Sequence, residues 1–296
     1  MRVLLVYNPQ AGHGRSRVLL PAVLAAFREA GIEAVLRLTE SPGHAERIAA
    51  EAMFGEFQGI VAAGGDGTLF EVLNGYYRNS SPGRVPLGVV PIGTGNAFAR
   101  DLSLGTDQVK EAVAYVSGGR TRRVDVGRFT TGGRRMHYLN ILGLGFVADV
   151  VLSASRMKML GNFSYTVGVL LRTITLKPYH FHMVLDGSVI DGEGVFTEIS
   201  NTRFTSNFLM APAALIDDGL LDVTVLGRLT RRRLLAAFPL IFTGEHVKIP
   251  EVQTYTARHI SISTDAPKVL TPDGELLGST PVEVDCLPRD IEVFCT

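Results

Sequence analysis

The chain has 296 residues, enough to bury a substantial core and to divide into two domains. Lys+Arg and Asp+Glu balance at 29 each, and charged residues make up 20%; this neutrality argues against wholesale nucleic-acid binding, which needs a basic face. No stretch approaches the ~20 apolar residues of a spanning helix. The opening MRVLLVYNPQ, its apolar run closed by Asn-Pro, reads as a first strand that is too short for a signal-peptide core. Cys286 and Cys295 have no zinc-ligand partners at useful spacing and make a poor disulfide framework, which fits a reduced, cytosolic compartment.

In chain order, RVLLVY is a strand and SRVLLPAVLAAFREAG an amphipathic helix ending at Gly31. IEAVLRLT and GHAERIAAEAMF repeat the pair, followed by GIVAAGG, the helix TLFEVLNGYY, the strand PLGVVPIG and a helix over about 107–116. This alternation predicts a parallel sheet covered on both faces, with strand C-termini and helix N-termini gathered on one edge. After RRVDVGRF the texture becomes β-rich: RRMHYLNILG, YHFHMVLDG, GVFTEISN, GLLDVTVLG, HISISTD and VEVDCLP. Turn signals at Asp186-Gly187, Asp191-Gly192 and Asp273-Gly274 punctuate it. Two helices are expected inside this half, about 147–160 running on toward Thr173, and 231–242. The expected division is 1–125 and 126–285, with a last strand at about 286–296 returning to the first domain.

Three strand–loop–helix junctions of the first half are rich in glycine: YNPQAGHGRS (7–16), AAGGDGTLFE (62–71) and VPIGTGNAFAR (90–100). Any one alone is explained by turn geometry. Together they would open on one sheet edge, where backbone N–H groups can wrap a polyphosphate while Asn8, Thr68, Thr94 and Asn96 hydrogen-bond to it. Asp66 is the anomaly, a carboxylate inside an anion-binding loop. It reads either as a cap on its own helix or as a link to Mg²⁺. No G-x-x-x-x-G-K-[S/T] and no H-R-D or D-F-G pair occurs, so neither a P-loop enzyme nor a protein kinase is indicated. GLGFVA (143–148) mimics a dinucleotide fingerprint but lacks the acid expected ~20 residues on.

N-P-x-x-G-x-G, G-G-D-G-T-x-x-E-V-x-N and P-x-G-T-G-N-x-x-A-R, in this order, resemble the diacylglycerol kinase catalytic domain. Soluble bacterial lipid kinases are the nearer likeness, with sphingosine and ceramide kinases as cousins. RRVDVGR, NILGLGFVADV, LIDDGLLDV and TPDGELL extend the resemblance over essentially the whole chain. It implies an α/β + β fold: an N-terminal Rossmann-like (phosphofructokinase-like) domain with a nucleotide cleft and a C-terminal β-sandwich-like domain. It implies ATP and Mg²⁺ as cofactors and a lipid hydroxyl as acceptor, on diacylglycerol, phosphatidylglycerol or a sphingoid lipid. The nucleotide contacts it implies are Asn8, Thr39, Gly64, Gly65, Asp66, Gly67, Thr68, Leu69, Phe70, Gly93, Thr94, Asn96 and Arg100. Asp66 and Asp125 enter the active-site Mg²⁺ network. Glu275, assisted by Asp273, takes the acceptor proton. The Asp218 carboxylate and the carbonyls of Leu215 and Leu220 hold a separate, structural Mg²⁺.

Two positions depart from the bacterial pattern. Asn96 is followed by Ala97 where many bacterial members carry an acid, and His13 stands where the first loop often has lysine, leaving Arg15 or Arg17 to supply charge. RRRLLAAFPLIF (231–242) joins a cationic cluster to an apolar run, suited either to an anionic membrane surface or to the core. The expected location is cytoplasmic, with transient contact at the inner face of the membrane. The sequence does not set the oligomeric state and is compatible with a homodimer. A kinase of a soluble substrate such as NAD shares G-G-D-G-T, but the Asn-Glu pair usual in those enzymes is missing here. A nucleotide-binding regulator without catalysis is the remaining rival, weakened by retention of Asp66, Asp125, Asp273 and Glu275.

Overall fold

Short apolar strands alternating with helices leave the chain one way to satisfy every backbone group, a parallel sheet between helical layers. The computed structural model describes residues 1–145 and 178–296. The chain separates into two compact units, Met1–Val126 with Pro288–Thr296, and Gly127–Leu287.

In the first unit β1 (Arg2–Tyr7), β2 (Glu33–Leu38), β3 (Ile60–Gly64) and β4 (Leu87–Pro91) pair in parallel in the order β2-β1-β3-β4. β3 and β4 are buried at every position, which is why they read as unbroken apolar runs. The helices between and after them are α1 (Arg15–Glu29), α2 (His44–Glu51), α3 (Asp66–Arg78), α4 (Ala97–Asp101) and α5 (Val109–Gly118). The end of the chain joins this sheet, with Val293 pairing parallel to Leu87.

The second unit is antiparallel. β5 (Thr121–Thr131) and β6 (Arg134–Tyr138) form a hairpin, and β7 (Ile141–Gly145) pairs with β9 (Ser188–Ser200) and with β15 (Leu270–Pro272). β8 (Tyr179–Leu185), β12 (Leu221–Gly227), β13 (Val252–Ala257), β14 (His259–Thr264) and β16 (Val282–Phe294) complete it in the order β13-β12-β9-β8-β14-β16. A two-stranded ribbon, β10 (Phe204–Thr205) with β11 (Phe208–Leu209), lies between β9 and β12 in sequence.

Three local expectations change. Residues 134–143 are two strands, because the N–H groups of Leu139, Asn140 and Ile141 turn aside to the Asp273 carboxylate. Asp191-Gly192 is no turn but lies inside β9; a Cβ on Gly192 would stand 2.9 Å from Phe181 Cζ, so the glycine makes room for that ring. The helix expected over 231–242 is α6 (Arg231–Ala237) followed by a 3-10 segment, Phe238–Phe242. Pro239 lacks an N–H and clashes with the preceding turn, which ends the α geometry there. The helix expected at about 147–160 lies outside the described residues.

Glu198 is the unexpected member of the second core. It is 1% exposed on β9, and its Oε1 accepts from the hydroxyls of Ser200 at 3.0 Å and Thr205 at 2.7 Å. Burial raises its pKa from 4.5 to about 7, partly offset by those two bonds. The folded state therefore holds a proton that the unfolded chain releases, so the contribution of Glu198 to stability is full below pH 4.5 and is lost as pH rises to about 7. The full difference is about 3 kcal/mol. Glu198→Gln keeps an acceptor for both hydroxyls without the charge. Thermal melts from pH 5 to pH 8 should show wild type losing several degrees that the variant keeps; parallel curves would overturn this account.

Candidate active site

The three glycine-rich junctions all follow C-terminal ends of parallel strands of the first unit, where the sheet leaves strand carbonyls and helix N–H groups without partners. They are tied to one another by short-range polar contacts. Asn8, just past β1, donates its N–H to Ala63 O at 2.9 Å and its Nδ2 to Thr68 Oγ1 at 2.9 Å. Gly93, past β4, donates to Gly64 O at 2.9 Å. A Cβ on Gly93 would sit 2.3 Å from Gly65 Cα, so glycine here is required by the approach of two backbones. Thr39 directly follows β2 at the same edge, and its N–H bonds Tyr7 O at 2.9 Å.

Asp66 resolves its anomaly in an unexpected way. It opens α3, whose N-cap is Gly65, a residue with no side chain to cap the helix, and its carboxylate meets its own backbone N–H. It also turns to the next loop, where Oδ1 accepts the Ala97 N–H at 2.7 Å. The carboxylate thus sits at the N-terminus of α4, where free N–H groups and the helix dipole favour negative charge. Burial pushes its pKa up, and the N–H groups of Ala97, Asn96 and Phe98 pull it back.

The side chain of Asn96 is used inside its own loop. With φ at 52°, it receives the Gly93 N–H on Oδ1 at 3.1 Å and donates Nδ2 to Gly93 O at 2.9 Å and to Thr106 Oγ1 at 3.0 Å. Thr94 is exposed, and Gly65, Asp66 and Gly67 are partly so, whereas Thr68, Leu69 and Phe70 are buried. A ligand at this edge would meet Thr94 and the backbone of 65–67, while Leu69 and Phe70 would offer main chain only. Arg100 Nε bonds the Gly95 carbonyl at 3.3 Å, holding the guanidinium on the loop. Asp125, on β5, is fully buried and accepts the Arg289 N–H at 2.7 Å.

Glu71, the acid that closes G-G-D-G-T-x-x-E, was not singled out from the sequence. Its Oε1 accepts the Gly43 N–H at 2.8 Å and its Oε2 the Ala45 N–H at 3.0 Å, so it caps α2 from α3. Its fixed place in the motif was the available signal, but its partner lies 28 residues upstream.

In the second unit the TPDGELL segment is a tight turn after β15. Asp273 and Gly274 have φ of 45° and 86°, and the Glu275 N–H closes onto Pro272 O at 2.8 Å, as a two-residue hairpin turn with an Asp-Gly centre requires. Asp273 is buried, and its two oxygens receive the N–H groups of Leu139, Asn140 and Ile141 at 3.3, 3.0 and 2.9 Å. Glu275 is exposed on the same turn.

The IDDGL loop before β12 also folds on a carboxylate. Leu220 N–H donates to Asp218 Oδ1 at 3.0 Å, and Gly219 takes φ of 79°. Leu215 is 55% exposed and Asp218 is exposed. Asp222, two residues beyond Leu220, is raised to about 6 by burial, with the charge of Asp218 adding to it. Among the described residues no group of three or more His, Cys, Asp or Glu side chains converges, so a cation here would draw on carbonyls and water as well.

Comparison with known proteins shows the family and the architecture. Residues 2–129 match the diacylglycerol kinase catalytic domain, and residues 140–295 match the YegS C-terminal NAD kinase beta sandwich-like domain. The chain is 30% identical to the diacylglycerol kinase of Bacillus subtilis, covering 99% of this chain and 95% of that one. It is 31% identical to the diacylglycerol kinase of Staphylococcus saprophyticus at the same coverage. A crystal structure of a diacylglycerol kinase from Bacillus anthracis superposes with a TM-score of 0.79 at 25% identity, covering 100% of this chain and 97% of that one. An α/β domain followed by a β-sandwich-like domain is therefore a shared architecture, and the chain belongs to the diacylglycerol kinase family.

Proposed function

We propose that this chain transfers the γ-phosphoryl group of ATP to a lipid hydroxyl. Diacylglycerol is the first acceptor to test, and phosphatidylglycerol and sphingoid lipids are the alternatives. The observation that carries this is the locked pair of loops, G-G-D-G-T and P-I-G-T-G-N, whose closely apposed glycines leave Thr94 and the 65–67 backbone accessible beside a helix N-terminus. The second domain match is named for its likeness to an NAD kinase sandwich, which keeps a soluble acceptor as a rival. Relatives named diacylglycerol kinase over nearly the full length favour the lipid.

The division of labour between Asp273 and Glu275 follows from their hydrogen bonds. A carboxylate that accepts three backbone N–H groups is a clamp, and protonating it would weaken all three bonds. Glu275, exposed one turn position away, is the carboxylate we assign to accept the proton of the lipid hydroxyl as it attacks. Asp273 positions it by fixing the turn.

Asp66 and Asp125 each give an oxygen to a backbone N–H. We assign these two carboxylates, whose oxygens are the hard donors Mg²⁺ takes, to hold the ion or its waters. Mg²⁺ held there would neutralise the charge on the transferring phosphoryl group. Asn8 and Thr68, already bonded to each other, brace the phosphate loop, and Arg100 adds positive charge beside the third loop. Asp218 with the Leu215 and Leu220 carbonyls forms the all-oxygen donor set that hard cations take, and it supports the assignment of a second, structural Mg²⁺. Among the described residues no helix is long and apolar enough to cross a membrane. Together with a lipid acceptor, this favours a cytoplasmic enzyme that visits the inner membrane face.

Purified protein with Mg²⁺ and labelled ATP should label at least one lipid in a panel of diacylglycerol, phosphatidylglycerol, sphingosine and ceramide; no labelled lipid removes the proposal. Glu275→Gln should lower turnover by about 100-fold or more, with ATP affinity by calorimetry and the melting temperature near wild type. Asp273→Ala strands three buried N–H groups and should lower stability by about 3 kcal/mol in urea unfolding. A stable Asp273→Ala beside an active Glu275→Gln would reverse the two assignments.

A further inference from the structure

The segment 231–242 has two faces with different fates. Leu234 and Ala237 are buried, and Ile241 packs on the cluster of Val195, Phe196 and Met210. That face is occupied by the core. Arg231 and Leu235 stand four residues apart on α6, and with Phe238 and Phe242 of the 3-10 segment that follows they make up a second stripe. Along this second stripe Leu235 is 43% exposed and Phe242 53% exposed, with Phe238 half-buried between them. The rings of Phe238 and Phe242 meet edge to face at 6.0 Å, and Phe208 on β11 closes an aromatic triad at 6.1 and 5.1 Å from them. Phe208 packs on the core cluster, so the triad rests on the core with Leu235 and much of Phe242 turned to solvent.

The charges at the head of the stripe are the second observation. Thr230 caps α6, and Arg231, Arg232 and Arg233 follow, all exposed. Arg233 is paired with Glu251 at 2.8 Å. Arg231 and Arg232 have no acidic partner among the described residues. Nearby acids are already engaged: Glu251 by Arg233, Glu245 by Lys248 at 2.8 Å and Glu193 by His180 at 3.2 Å. An apolar, aromatic ridge with two uncompensated guanidinium groups at one end complements an anionic, amphipathic surface. Such a surface takes the aromatics into its headgroup layer and the cations against its phosphates.

We propose that this ridge, Leu235, Phe238 and Phe242 headed by Arg231 and Arg232, is the surface by which the second unit docks on a bilayer containing anionic phospholipid. This rests on the lipid-kinase reading above and names the partner-facing residues within it. Aromatic insertion provides the neutral part of the affinity, and the two arginines make it dependent on lipid charge and on salt.

The test is co-sedimentation of the full chain with vesicles of phosphatidylcholine, with and without phosphatidylglycerol. The double variant Arg231→Gln/Arg232→Gln is compared with Leu235→Ser/Phe242→Ser. Wild type should prefer the anionic vesicles by about tenfold or more, and lose that preference at high salt. The arginine variant should bind both vesicles as wild type binds the neutral one. The serine variant should bind both weakly, with a circular dichroism spectrum like that of wild type. Because the arginine pair is exposed and unpaired, its variant tests the surface even if the serine variant unfolds. Equal vesicle binding by wild type and the arginine variant overturns the proposal. So does a change from dimer to monomer in light scattering with vesicle binding unaltered, which would make the ridge a contact between two copies of this chain. Phosphorylation of a short-chain diacylglycerol kept monomeric in solution separates the two questions. Both variants should retain it, whereas its absence from wild type counts against the kinase reading and leaves the vesicle result standing.

Discussion

The hydrogen bond from the Ala97 N–H to Asp66 is the constraint on which the ligand edge of the first unit depends. It joins the start of α3 to the start of α4, two elements that leave different strands, and so fixes the second loop against the third. The glycines on either side follow from it. With the loops held this close, a Cβ on Gly93 would overlap Gly65, and the Gly93 N–H reaches Gly64 O. Asn96 then takes a left-handed backbone to bring its amide onto the same loop, a conformation asparagine tolerates because its short amide bonds locally. The glycine richness of both motifs is thus a consequence of loop-to-loop packing as much as of phosphate access.

The same device recurs across the chain: an acidic side chain answers backbone N–H groups far away in sequence. Glu71 caps α2, Asp125 takes the Arg289 N–H, and Asp186 takes those of Arg258 and His259. Asp186 is held below the usual carboxylate range by those N–H groups, because they favour the charged form. Asp273 is the extreme case, with three donors at the joint between β6 and β7. Each bond satisfies groups that a helix end or a strand break leaves without partners. These acids therefore act as clamps between segments distant in sequence.

This explains which features were legible in the sequence. Periodicity and turn chemistry are local, so the parallel α/β half, the β-rich half and the Asp273-Gly274 turn could be read directly from spacing. Asp191-Gly192 has the same dipeptide logic yet runs straight through β9, because the glycine answers Phe181 on the neighbouring strand. Residues 134–143 show one continuous pattern and are nevertheless broken, by a carboxylate more than 130 residues away. Asp66 was open to a local cap or a metal link, and the cap it makes belongs to a helix 31 residues on. The missed features share one property, a partner set by the fold and not by sequence neighbours. Glu198 belongs to this group, since an isolated acid in a strand announces neither its burial nor its hydroxyl donors.

Ala97 can now be judged by what the site asks of it. The joint uses its backbone N–H, which any residue but proline supplies, while its side chain is only 2% exposed. A carboxylate in that position would be a second buried acid at this joint. Burial already raises the pKa of Asp66, and a second negative charge would raise it further, unless a cation compensated both. With alanine the joint is one acid met by backbone N–H groups, those of Ala97, Asn96, Phe98 and Asp66 itself. In this chain the Ala97 N–H, and not a side chain at that position, is what ties the third loop to Asp66.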